Sequence, residues 1–262
     1  MNVPVRPLAL LASFAWMAAL RPDLWFRGDF ETGGLQGWTW DRARRESIQV
    51  VTRPVRKGRY AVRMTLVPGD IAAQKERVEL KVGDKEIELT HGRQGGEMWY
   101  GWSLLVPEDY TDPPGEHFQV VGQWHHRPAR AVVQGTGLIA RGEGFPPLIL
   151  HLTPKGGGHV LTLIGRGFPK ADGRRLGTQP VRRGAWLDLL FHIRWSTGKD
   201  GFVEAWLDGR PFTPGKMYGP TLYSPVPNYL RLGLYRGKGF TTTNSVYYDE
   251  VRIGRSRQAV IP

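Results

Sequence analysis

The chain has 262 residues, with 36 Lys and Arg against 24 Asp and Glu, so it carries a formal charge of +12. Such an excess calls for an acidic partner: nucleic acid, anionic lipid or anionic polysaccharide. Cysteine is absent, which excludes disulfides, zinc–thiolate sites, iron–sulfur clusters and thiol nucleophiles, while 34 Gly and 20 Pro argue for a turn-rich globular chain over a helical bundle.

In chain order, the first feature is the uncharged, mostly apolar run over residues 8–20, preceded by Arg6 and followed by Arg21 and Pro22. A bilayer span needs about 20 apolar residues. A shorter run ending in Ala18 and Ala19 predicts a signal peptide or N-terminal anchor over residues 1–20, and hence a secreted or periplasmic protein. Arg6 is the one charged residue of that segment, so the basic character belongs to the domain predicted over 25–262.

From residue 25 onward, short alternating runs separated by Gly, Pro and Asp clusters predict an all-β fold. Strands are expected at 60–66, 75–82, 97–106, 117–125, 148–153, 159–164, 186–196, 202–208, 229–235 and 246–254, with hairpin turns at 154–158 and 197–201. Met98, Tyr100, Trp102 and Leu104 share one strand face, and Leu187, Leu189, Phe191, Ile193 and Trp195 share another. So many core faces imply two stacked antiparallel sheets.

Three strands carry an unusual second face. On 75–82 it is Arg77, Glu79 and Lys81; on 117–125 it is Gln119, Val121, Gln123 and His125; on 229–235 it is Tyr229, Arg231, Gly233 and Tyr235. Arg, Gln, His and Tyr are side chains that bind sugars and carboxylates or transfer protons to them.

Glu76-Arg77-Val78-Glu79-Leu80, Gln123-Trp124-His125 and Tyr229-Leu230-Arg231-Leu232-Gly233-Leu234-Tyr235 stand in that chain order. They resemble the R-x-E-L, Q-x-H and Y-x-K-x-G-x-Y strands of the β-jelly-roll polysaccharide lyases. The likeness is to the heparin lyase I-like and glucuronan lyase-like group, and more loosely to jelly-roll alginate lyases. The phrases Trp99-Tyr100-Gly101-Trp102-Ser103 and Tyr248-Asp249-Glu250-Val251-Arg252-Ile253-Gly254 match as well. The resemblance implies a concanavalin A-like β-jelly-roll sandwich with a concave groove, and β-elimination on a uronic-acid polysaccharide of glucuronan, alginate or glycosaminoglycan type. It implies no obligatory cofactor.

β-Elimination needs the carboxylate beside C5 neutralised, a base for H5 and an acid for the leaving O4. One preorganised donor to developing charge supplies about 2.7–4 kcal/mol, and each proton transfer about 10²–10⁴ in rate. The resemblance implies Gln123 and Arg77 for neutralisation, His125 as base or as a partner in neutralisation, and Tyr235 as the acid, and as the base too where H5 and O4 leave from the same side. Arg231 stands where the family usually has Lys; an arginine keeps its proton, so carboxylate binding suits it and proton relay does not. Glu79, Lys81 and Tyr229 are expected to line the substrate site.

Residues 165–183 hold six basic side chains, including Arg174 and Arg175, and read as a basic lid or rim for a polyanion, extended by Arg127. Asp29, Glu31 and Asp249 are candidate ligands of a structural Ca²⁺. The runner-up function is a carbohydrate-binding lectin-like module on the same fold. Nucleic acid is disfavoured, because the arginines are scattered and no helix-turn-helix, RNP or zinc-finger pattern occurs. A glycoside hydrolase would need a spaced pair of carboxylates, and no E-x-D-x-x-E strand occurs. The expected partner is an anionic polysaccharide bound by a monomer, with no membrane partner beyond the N-terminal anchor.

Overall fold

The computed structural model describes residues 23–82, 92–112, 117–126, 146–167, 173–223, 225–237 and 239–262. The expected signal segment and Arg127 lie outside these residues. Seventeen strands are found among them, in chain order Leu24–Gly28 (β1), Trp38–Asp41 (β2), Ile48–Val51 (β3), Ala61–Leu66 (β4), Ile71–Ala72 (β5), Lys75–Val82 (β6), Glu97–Leu105 (β7), Gln119–His126 (β8) and Leu148–Lys155 (β9). They continue with Gly158–Gly165 (β10), Arg174–Val181 (β11), Trp186–Arg194 (β12), Phe202–Leu207 (β13), Arg210–Pro211 (β14), Met217–Tyr218 (β15), Asn228–Arg236 (β16) and Asn244–Gly254 (β17), before a short helix Arg257–Val260 (α1). No helix of the described residues is long and apolar enough to cross a membrane.

The strands form two antiparallel sheets. One runs β11-β10-β9-β8-β16-β6-β2 with β5 beside β6; the other runs β14-β13-β12-β7-β17-β4-β3 with β1 beside β17 and β15 beside β13. The two stacked antiparallel sheets expected from the alternating runs, and the jelly-roll sandwich implied by the resemblance, are therefore what the chain builds. Facing rows from the two sheets meet in an aromatic centre. Trp102 stacks on Phe191 at 4.7 Å between ring centroids, Trp124 meets Phe191 edge-on at 5.0 Å, and the Trp195 indole N–H donates to the Tyr100 hydroxyl at 2.9 Å. All five rings are fully buried, and burying each such side chain is worth about 1.5–3 kcal/mol.

Strict alternation fails in one place that matters. The pairing of β8 with β9 shifts between Val120 and Gly122, and that of β16 with β8 shifts between Leu232 and Tyr235. An extra residue in a strand reverses the facing of what precedes it. Val121 therefore joins the core and does not share a face with Gln123 and His125, while Phe118 is 43% exposed. Tyr248 of β17 reaches across the sandwich to these irregularities. Its hydroxyl donates to the Val121 carbonyl at 2.5 Å and accepts the Gly233 N–H at 3.2 Å.

The basic segment 165–183 is not one long connection. Its second half is β11, which pairs along β10 and buries Leu176 and Val181. Its alternation is obscured by Gly177 and Pro180, and it forms because the outer edge of β10 requires hydrogen-bond partners.

Candidate active site

Four neighbouring strands of the smaller sheet bring the polar faces together. Cross-strand register sets Arg231 between Lys81 and Gln123, Tyr229 opposite His125, Gly233 opposite Glu79, and Tyr235 opposite Arg77. At the sheet edge β2 adds Asp41, opposite Glu79. Leu230, Leu232 and Leu234, with Val78, Leu80 and Trp124, lie in the core, so the polar set shares the other face.

A charge network forms the floor. Glu79 is 2% exposed and receives Arg231 at 2.8 Å, Arg77 at 3.3 Å and the side-chain amide of Gln123. Asp41 receives Lys81 at 3.1 Å and also pairs with Arg231. Burial alone would raise Asp41, but Arg231, Lys81 and Arg77 hold it below the usual carboxylate value. Burial opposes the charge on Arg231 too, and Glu79, Tyr229 and Asp41 outweigh it, so its proton is held more tightly than usual. Three cations against two carboxylates leave one positive charge over this floor.

Glu79 fixes how Gln123 can act. With one N–H on Glu79, the amide keeps a second N–H, and its Oε1 is buried with no hydrogen-bond partner among the described residues. Gln123 thus presents a donor and an acceptor side by side. His125 sits with Nδ1 at 2.7 Å from the His126 carbonyl, which places the proton on Nδ1 and leaves Nε2 as an acceptor. Burial first, then Arg231, pushes its value down to about 3, so the ring is neutral at ordinary pH.

The two tyrosines separate. Tyr229 pairs with His125, the ring centroids 6.1 Å apart, and lies within electrostatic reach of Arg231. Tyr235 is six residues along the strand, about 20 Å at roughly 3.3 Å per residue. It lies under the Arg77 guanidinium, 4.4 Å from the ring centre, and against Phe118 at 5.2 Å. Arg77, on the neighbouring strand, is the arginine that faces Tyr235, whereas Arg231 serves the Tyr229 end. The register thus sets Tyr229 opposite His125, while Tyr235 joins the network through Arg77, which also pairs with Glu79.

Of the expected rim, Arg175 lies on the same sheet face as His151, Thr162 and Thr178, three strands from β8, and Arg174 is exposed beside it. His151 is pushed down to about 4, by burial and then by Arg166. Asp41 carries no family motif in the sequence; the one available signal was an acidic residue on a short Trp-Thr-Trp-Asp run. The expected calcium ligands Glu31 and Asp249 both reach the 56–60 loop, and their carboxylates are met there by backbone N–H groups. Asp29 pairs with Arg27, Glu31 accepts the N–H groups of Arg59 and Tyr60, and Asp249 accepts those of Arg56, Lys57 and Glu250. Among the described residues no three His, Asp or Glu side chains group so as to hold a metal.

The polysaccharide lyase family model matches residues 30–252, which takes in every strand of this site. The chain is a polysaccharide lyase. No curated protein sequence matches it. Among solved structures, the lyase is similar to endo-β-1,4-glucuronan lyase from the fungus Trichoderma reesei, with 22% identity, 91% of this chain and 98% of that chain covered, and a TM-score of 0.66. Alginate lyase Aly36B, solved with an alginate trisaccharide, is 12% identical over 84% of this chain and 88% of its own, at a TM-score of 0.58. A family 131 β-glucanase catalytic domain from Podospora anserina also shares the fold, with 12% identity, coverage of 90% and 94%, and a TM-score of 0.57. One sandwich thus carries both lyases and a β-glucanase, so the chemistry has to be argued from the side chains of the site.

Proposed function

We propose that this lyase cleaves a uronate-containing polysaccharide by β-elimination at the Gln123–His125–Tyr229–Arg231 end of the network. The observation that carries the reading is the single uncompensated positive charge over a buried floor, beside an amide, a neutral imidazole and a phenol. One bound uronate brings that charge to balance. The free N–H of Gln123 and the guanidinium of Arg231 stabilise the carboxylate as negative charge spreads onto it from C5, and being fixed by Glu79 and Asp41 they need no reorganisation.

A base takes H5, the C5–H electrons form the C4–C5 double bond, and the C4–O4 bond breaks as O4 receives a proton. The products are a 4,5-unsaturated uronyl end and a new chain end carrying the released hydroxyl. Tyr229 is assigned the proton transfer to O4. His125, with its proton held on Nδ1 by the His126 carbonyl, presents Nε2 as the base that takes H5, and the proton passes back to Tyr229 once the products leave. A polymer of this kind is met outside the cytoplasm, in line with export directed by residues 1–20.

The test is incubation with glucuronan, alginate, heparin and hyaluronan, following absorbance of the unsaturated product. At least one polymer is expected to develop absorbance, and none doing so would defeat the reading. Tyr229→Phe is expected to cost at least about 10²-fold in kcat, while Tyr235→Phe changes mainly KM. The reverse pattern would return the proton transfer to Tyr235.

A further inference from the structure

On the far side of β11 from the groove lies a second cleft, of about 740 Å³, which the proposed reaction does not use. Its floor is Trp186 and Asp188, on the outer face of the larger sheet. Its walls are Arg56, Arg182 just after β11, and Arg210 in β14, with Gln179 at the β11 edge. That volume falls in the range of sites for small ligands, and a few polar groups around an aromatic floor is their usual lining.

The charges of the cleft are not equivalent. Asp188 is already satisfied: it takes two guanidinium nitrogens of Arg56 at 3.0 and 2.7 Å and the Ser103 hydroxyl at 2.7 Å. Asp208 accepts the Asp188 backbone N–H at 2.8 Å. Arg182 and Arg210 are exposed, and among the described residues neither has an ion-pair partner. Two unpaired guanidinium forks match carboxylates in bidentate fashion. Trp186 is half-buried between them and offers an apolar face to a sugar ring.

β11 also ties this cleft to the groove. Its Arg175 and Thr178 line the depression on the groove face, while Gln179 and Pro180 line the cleft. A chain leaving the groove across β11 would arrive at Arg182. We infer that the Arg182–Trp186–Arg210 cleft is a second, non-catalytic binding site for a carboxylate-bearing oligosaccharide, which retains polymer while the groove turns over. The sugar class rests on the uronate reading of the groove; the cleft itself is tested by binding alone.

The experiment is affinity electrophoresis of the full chain through gels cast with glucuronan or alginate, using Tyr229→Phe as the background so that no polymer is consumed. Adding Arg182→Ala and Arg210→Ala is expected to weaken retention about a hundredfold, about tenfold for each lost charge-assisted contact. Trp186→Phe should retain binding where Trp186→Ala loses it. In the otherwise unchanged enzyme, the paired arginine substitutions should raise KM for polymer and leave kcat and KM for a uronate tetrasaccharide unaltered. Undiminished retention, or equal losses on tetrasaccharide and polymer, would overturn the second site. Retention through the arginines without turnover of any polymer would leave the cleft standing and defeat the groove reading alone.

Discussion

Glu79 is the residue on which the site turns, because three side chains converge on one buried carboxylate. It is a positioning residue: it sets the amide orientation of Gln123 and holds both arginines. Removing one partner from a buried ion cluster costs about 3–5 kcal/mol. Glu79→Ala is therefore expected to lower the unfolding free energy by about that amount, read by denaturant titration. Glu79→Gln keeps the volume and one acceptor. It should recover much of the stability and still lose kcat, because Gln123 and Arg231 are no longer held for the transition state. A Glu79→Gln enzyme with full kcat would show that the cluster is structural only.

Strand irregularities shape the site. Gly233 has a φ of +146°, and a Cβ there would come within 2.1 Å of the Val78 carbonyl, so Gly233→Ala has to push β16 away from β6. Directly behind it, Tyr248 satisfies backbone groups of β8 and β16 that shifted pairing leaves without ladder partners. Tyr248→Phe keeps the packing and removes the hydroxyl. It is expected to cost about 1–3 kcal/mol, the price of orphaned buried polar groups, and to lower kcat with the fold intact by circular dichroism. Unchanged stability and activity would mean that water replaces the hydroxyl.

Across the whole molecule, buried histidines couple stability to pH. The folded value of His125 is about 3 and that of His151 about 4, each below the ordinary 6.5, and burial lowers His126 and His192 as well. Between the folded values and 6.5 the unfolded chain binds the additional protons, so stability is full above pH 6.5 and falls as pH drops through that window. Asp249 acts in the opposite sense. Burial raises it to about 6, so its contribution is present at low pH and fades as pH rises towards 6. Four histidines against one carboxylate predict a net loss on acidification. The unfolding midpoint should fall from pH 7 to pH 4, and fall less in His151→Asn. A midpoint that is flat or rises over that range would contradict this.

The alternation of apolar residues, with no help from tertiary contacts, determined that this chain makes two sheets, because the face a strand buries is written in a period of two. It also placed Arg77, Glu79, Gln123, His125, Tyr229 and Arg231 on polar faces, since each lies beside an unambiguous core residue such as Val78, Trp124 or Leu230. Tertiary structure decided the rest. Register, and not motif order, puts Tyr229 opposite His125 and Arg77 opposite Tyr235, because pairing between strands more than a hundred residues apart leaves no local trace. Asp41 enters only as the edge of the sheet closes on β6, and β11 becomes a strand only because β10 has an edge to fill. The positive charge met first in the composition is likewise divided by the fold: part is held by Glu79 and Asp41 beneath the groove, and part stands at Arg182 and Arg210, which have no ion-pair partner among the described residues.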